Sequence, residues 1–225
     1  MNSIENSSFG MGAEESAADT PITAQEDFVN GVYSLVDEAT AFEMDRLRSE
    51  DGIIPSCGLG CSHCCRFHIL TNIAEAHALA QYIKREFSGD QIDDLRMRTQ
   101  QWHAWDNSRP GRYPPVNIDE QIDLSDYDHC CPLLVNGACS AYPVRPVACR
   151  THFVSSHPLS CAAANDPEST EDPPVVLMSF VTATGPLSRT IGDYIENEGL
   201  DFSRSTMLLP HWLAIAMGWE FAISP

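Results

Sequence analysis

Basic residues are scarce in this chain. Thirteen Lys and Arg stand against 32 Asp and Glu, a formal net charge of −19 over 225 residues. Such a chain repels phosphate backbones and anionic lipid surfaces, which argues against nucleic-acid and membrane partners. Solubility alone accounts for the charge. Long apolar runs are also missing, and none approaches the roughly 20 residues needed to span a bilayer. The opening stretch, MNSIENSSFGMGAEESAADT, has neither the basic start nor the apolar centre of an export signal. The expectation is a cytoplasmic protein whose thiols stay reduced. There is no alternating strand pattern, no internal repeat and no glycine-rich nucleotide loop.

What the chain does have is cysteine, nine in all. Four fall in nine residues, CGLGCSHCC, as Cys57, Cys61, Cys64 and Cys65. A looser group follows at Cys131, Cys139, Cys149 and Cys161, with Cys130 beside its first member. An odd count, two vicinal pairs and the lack of an export signal argue against a disulfide framework. Thiolates bind zinc, Cu(I) and iron–sulfur clusters. A metal site joining the two groups is therefore the leading expectation.

The rest of the chain reads as mostly α. Residues 1–22 are acidic and polar with little to bury, and read as a disordered tail. Residues 23–225 read as a single metal-binding domain with its cysteine core at 57–161. Thr23 and Glu26 suggest a capping box. An apolar stripe at Phe28, Val32, Leu35, Val36, Ala39 and Phe42 predicts a helix from Ala24 to near Arg48, stopping before Gly52. Asn72 and Glu75 suggest a second box, opening a helix with Ala76, Leu79, Ala80, Ile83 and Phe87 inward. A third helix is predicted over Asp90–Trp105. From Asp106 to His129 the pattern fails among prolines and carboxylates (Asp119, Glu120, Asp123, Asp126, Asp128). Those acids lack calcium-loop spacing and read as a solvated loop. Pro143 can open a short helix through Cys149. Val175–Val181 fits strand or helix and should end at Gly185–Pro186. Helices around Leu187–Ile195 and Leu209–Ala216 close the chain. The architecture expected is a small helical domain with long irregular loops organised around a cysteine-ligated metal centre.

Cys57, Cys61 and Cys64 are spaced so that thiolates from one loop can converge on a single centre. On extended backbone, adjacent residues point to opposite faces. Cys64 and Cys65 are therefore expected to face different centres unless one of them is inert. The eight grouped cysteines divide into two four-thiolate sites, or into some mixed arrangement. The same C-x3-C-x2-C spacing marks radical S-adenosylmethionine enzymes, but those resemble a βα barrel. Here a helix precedes the loop and no series of βα units follows.

The residues Cys139-Ser-Ala-Tyr142-Pro-Val-Arg145-Pro146-Val-Ala-Cys149-Arg150, with Cys131 before them and Cys161 after, carry a more specific likeness. The chain resembles the YkgJ-type cysteine cluster family, also described as the CxxCxxCC zinc- or iron-chelating domain. Its opening cysteines depart from that pattern by one residue between Cys57 and Cys61. The likeness covers roughly residues 57–161 and implies a metal-chelating or iron–sulfur protein. It implies as ligands Cys57, Cys61, Cys64, Cys65, Cys131, Cys139, Cys149 and Cys161. A related domain resembles the core of flagellin lysine methylases, which implies a cluster and S-adenosylmethionine.

Other residues have plainer readings. Arg145 and Arg150 could donate to cluster sulfurs, or pair with the acidic loops. Tyr142 packs beside them. His63, His129 and His152 adjoin cysteines, where a supporting role is expected. Cys130 is an ordinary thiol, and the tryptophans are core. Three classes of function follow: an iron–sulfur redox or electron-transfer protein, a zinc-stabilised interaction module, or a cluster-dependent enzyme modifying protein or peptide. The first is preferred. One structural zinc needs fewer thiolates, and Cys131–Pro132 is similar to the cysteine–proline of ferredoxin loops. The cofactor expected is a 4Fe–4S cluster, with zinc as the alternative.

Overall fold

The computed structural model describes residues 23–221 apart from positions 59, 68, 109–129, 165 and 167. The expectations for the tail at 1–22, for His129 and for the acidic residues between Asp119 and Asp128 lie outside the described residues. The chain is mostly α, as its periodicity predicts, with seven α-helices among the described residues.

Helix α1 (Ala24–Arg46) opens where the Thr23 side chain accepts from the Glu26 amide at 3.1 Å. Glu26 does not complete a capping box. Its carboxylate is buried and takes both terminal nitrogens of Arg85, at 2.7 and 3.0 Å. A carboxylate removed from water needs such a partner, and here the partner comes from the last turn of α2 (Ile73–Glu86). A π-turn at Leu47–Asp51 extends α1 to Gly52, which stands at φ 67° and stops it.

Helix α3 (Gly89–Ser108) runs past Trp105, where the sequence pattern fails. Asp106 is fully buried and accepts from Nε2 of His211 at 3.0 Å, so the helix continues beyond the point where the sequence pattern fails. Helix α4 (Val147–Arg150) is shorter than predicted. The Tyr142–Val144 segment is a separate 3-10 turn, and Arg145 between them is extended. Proline pushes the residue before it out of the helical region, and Pro146 does this to Arg145. Helix α5 (Pro158–Ala163) carries Cys161.

Helix α6 (Met178–Asn197) continues through Pro186, against the expectation that Gly185–Pro186 ends the segment. Phe180 and Thr184 before the proline, and Ile191 and Ile195 after it, are all buried. Burial of such apolar side chains is worth about 1.5–3 kcal/mol each. That outweighs one lost hydrogen bond on a face where Pro186 is exposed. Helix α7 (Leu209–Met217) ends at Gly218, φ 71°.

Two small antiparallel pairs complete the fold. β1 (Leu70–Asn72) pairs with β4 (Thr206–Leu208), Thr71 opposite Met207. β2 (Leu134–Val135) pairs with β3 (Ala138–Cys139) through Asn136 and Gly137, both at positive φ. Strands of two or three residues are too short to show alternation.

Helices α1, α2, α6 and α7 share one core, including Val29, Val36, Leu79, Ile83, Ile195 and Leu213. Leu133, Ala141, Val144 and Val147 from the second cysteine segment belong to the same core, and Cys131 and Cys139 pack against it. No described helix is long and apolar enough to cross a membrane.

Candidate metal centre

A cavity of about 350 Å³ brings cysteines from both groups together. Cys57, Cys61, Cys64, Cys65, Cys131, Cys139 and Cys149 all line it. Apolar side chains share the lining, among them Phe67, Ile69, Trp102, Leu133 and Leu209. None of the nine cysteines is in a disulfide. Cys130 and Cys161 do not line the cavity, although Cys161 is buried.

Local backbone explains how each thiol is held. Cys64 and Cys65 lie in a 3-10 turn, His63–Arg66. The argument from extended backbone therefore fails for this pair. Successive residues of a 3-10 helix are about 120° apart rather than opposed, and both thiols reach the cavity with a hydrogen bond between them. The Cys131 amide donates to the Cys65 carbonyl at 2.7 Å, which ties the two groups directly. Ser56 makes a second tie, its amide donating to Val154 O at 2.9 Å. The β2–β3 hairpin sets Cys139 opposite Leu134, three residues beyond Cys131. The Asn136–Gly137 pair that makes this turn is a strong hairpin signal, and the sequence reading missed it.

Cys149 is mounted by a buried carboxylate that the sequence reading assigned only to a helix cap. Glu75 is 4% exposed and accepts from four groups. Oε1 takes the Val147 amide at 2.7 Å and Tyr33 OH at 3.3 Å; Oε2 takes Thr71 at 3.0 Å and Asn72 Nδ2 at 2.8 Å. Burial raises its pKa, and the Val147, Thr71, Tyr33 and Asn72 donors oppose that rise. The bond to Val147 fixes the start of α4 two residues before Cys149.

Arg150 does comparable work on the other side of α4. Its Nε donates to Arg145 O at 2.8 Å and its Nη1 to Asp37 of α1 at 2.5 Å, and Nη2 donates to Pro143 O. The guanidinium also lies 4.2 Å over the Tyr33 ring. These partners, rather than sulfur or the acidic loops, engage its donors. Arg145, by contrast, lines the cavity, with its guanidinium 4.0 Å over the Tyr142 ring. Tyr142 also lines the cavity and is partly exposed. His152 completes this side, its ring edge-on to Phe67 at 5.7 Å. His63 lies in the cysteine turn but outside the lining.

Burial favours the neutral form of most of these thiols, so a bound metal would have to displace their protons. Burial pushes up the pKa values of Cys57, Cys139 and Cys149, with Cys131 raised to about 12 and Cys161 to about 11. The hydrogen bond from Cys65, with help from Arg145, lowers Cys64 to about 7; the same bond and burial raise Cys65. Backbone amides donate to sulfur at three points, Val154 to Cys57 at 3.3 Å, Leu133 to Cys131, and Ala141 to Cys139. Arg145 Nε and His152 Nε2 are buried and have no hydrogen-bond partner among the described residues. Unpaired buried polar atoms are rare and call for an explanation. Clustered thiols, N–H donors aimed at sulfur and spare buried nitrogens fit a metal or cluster that would take the sulfurs as thiolates. Among the described residues no three His, Cys, Asp or Glu side chains already stand as a set that would hold one ion.

Comparison of the chain with family models, with curated proteins and with solved structures finds no match. The likeness to the YkgJ-type proteins accordingly rests on the sequence motifs alone.

Proposed function

We propose that this protein is a cysteine-ligated iron–sulfur protein with a redox or electron-transfer role. The observation that carries the reading is one cavity lined by seven cysteines drawn from both groups. A tetrahedral zinc takes four ligands at about 2.3 Å. Seven thiols around about 350 Å³ offer more donors and more room than one such ion uses. Amide donors to sulfur and the nearby Arg145 would tune the potential of a cluster held there. The apolar lining limits water access, which acts in the same direction.

Protein purified without oxygen is expected to be coloured and to contain iron and acid-labile sulfide. Colourless protein with stoichiometric zinc would reject the redox reading in favour of a zinc-stabilised module.

The adjacent pair Cys130–Cys131 provides an internal control. Cys131→Ser is expected to lower metal content, because a hydroxyl is a poor substitute for a buried thiolate. Cys130→Ser is expected to keep it, since that thiol is outside the lining. Metal analysis of the two variants side by side checks this, and the reverse pattern would place the ligand register of the second group off by one.

A further inference from the structure

We propose that the cavity binds a small organic monocarboxylate with an apolar body, its carboxylate on Arg145 and His152 and its body against the apolar lining. This goes beyond the metalloprotein reading and does not rest on it, because it uses lining residues other than the cysteines.

The size and chemistry of the lining carry the first part. Small-molecule sites are concave, mostly apolar and furnished with a few convergent polar groups, over about 300–1,000 Å³. This cavity, of about 350 Å³, falls within that range. Since a cavity of about 150 Å³ holds one benzene, there is room here for roughly a dozen heavy atoms. Helices without a cysteine reach into it: α1 through Met44, α3 through Trp102, and α7 through Leu209 and Pro210. These side chains take no part in sulfur ligation, and they give an apolar ligand body its contacts. Gly58, Gly60 and Gly137 line the cavity and are exposed, so it opens to solvent.

Arg145 and His152 supply the polar end. Among the described lining residues Arg145 is the one Lys or Arg, and there is no Asp or Glu. The buried Nε of Arg145 has no hydrogen-bond partner among the described residues, and neither has Nε2 of His152. Such atoms are rare in folded proteins, and here two belong to residues that line one cavity. Arg150, five residues on, gives all three of its nitrogens to protein acceptors.

Arg145 is also fixed in advance. Its backbone is extended before Pro146, its carbonyl accepts from Arg150 Nε at 2.8 Å, and its guanidinium rests 4.0 Å over the Tyr142 ring. A guanidinium takes a carboxylate through two parallel N–H bonds, and one already held in place loses less freedom on binding. Burial lowers the His152 pKa, so its ring is uncharged at neutral pH and an Nε2–H donates without adding charge. One fixed cation and one neutral donor match a monocarboxylate. A phosphate ester or a dicarboxylate would bring a second negative charge with no partner in the lining.

The test is calorimetric titration of the full-length protein, purified without oxygen, with 3-phenylpropionate and with 3-phenylpropanol, the same body without the charge. The acid is expected to bind about tenfold tighter than the alcohol or better, the difference a charged hydrogen-bonded pair makes. Arg145→Gln should remove that preference by weakening the acid about tenfold while changing the alcohol less than about twofold. His152→Phe, which keeps a ring and removes the donor, should weaken the acid several-fold. Equal affinity for acid and alcohol, uptake of neither, or an acid affinity unchanged in a folded Arg145→Gln overturns the proposal. Circular dichroism verifies folding. Should Arg145→Gln misfold, His152→Phe carries that arm, and an unchanged acid-to-alcohol ratio in it is the overturning result. Metal and sulfide are measured on the same samples. Metal-bearing protein that fails the titrations keeps the metalloprotein reading and loses this one, and metal-free protein that passes them does the reverse.

Discussion

Removing metal under reducing, oxygen-free conditions is expected to loosen both cysteine segments together while leaving much of the helical core in place. Thiolate metal sites contribute about 10–16 kcal/mol of apparent binding free energy in small zinc domains, against total domain stabilities of about 5–15 kcal/mol. At the proposed site such energy would act unevenly. The core built from α1, α2, α6 and α7 has its own buried Val, Leu and Ile residues. The Cys57–Cys65 segment has a one-turn 3-10 helix and a few backbone bonds. Apoprotein should therefore keep most of its far-ultraviolet helical signal, melt at a clearly lower temperature, and lose amide protection around Cys65 and Cys131 together. Protection that survives unchanged in both segments would make the site peripheral.

Glu75→Ala is expected to destabilise the protein by about 4 kcal/mol or more. The substitution strands the Tyr33 hydroxyl, Thr71, Asn72 and the Val147 amide in a buried place, and each stranded group costs about 1–3 kcal/mol. Glu75→Gln keeps one oxygen acceptor but turns an N–H₂ toward donors, so about half that loss is expected. The two variants also differ from the parent in pH dependence. The folded-state pKa of Glu75 is raised, so the native state holds that proton to higher pH than the unfolded chain does. Its contribution to stability therefore falls as pH rises from the ordinary carboxylate range through the raised value. Both substitutions should remove that slope, measured by urea unfolding across the window. Metal content should drop in Glu75→Ala if Cys149 depends on the Val147 anchor. A Glu75→Ala melt within 1 kcal/mol of the parent would contradict the role given to this carboxylate.

Much of this fold was legible in the sequence because helical periodicity is a local signal. The starts of α1 and α2 and the buried face of α2 follow directly from Thr23, Asn72 and the stripe behind Asn72. The stripe read for α1 is only partly buried: Val32 and Val36 face the core, and Leu35 and Phe42 are exposed. The errors arose where a long-range contact or a single proline decided the outcome. Glu26 and Glu75 each look like the reaching-back residue of a capping box. Only the packed structure gives Glu26 to Arg85 and Glu75 to Val147, both far away in the chain. Pro186 reads as a helix breaker, and burial on both sides of it prevails. Pro146 acts as a local rule requires and splits a helix that had been read as continuous. Asn136–Gly137 was a readable turn signal between two strands too short to draw attention. At the candidate centre, seven of the eight cysteines grouped from the sequence line one cavity, and Cys161 does not.

The bond from the Cys131 amide to the Cys65 carbonyl has a consequence for biogenesis. Cys57 to Cys65 are synthesised well before Cys131, and α2, α3 and residues 109–129 all lie between them. At about 5–20 residues per second, that interval lasts roughly 3–13 s. Throughout it, four thiols within nine residues have no partner strand, hairpin or Glu75-mounted helix to close over them. Metals and oxidants have access to those thiols in that window, so a cofactor of the proposed kind would best be delivered after the second group has emerged.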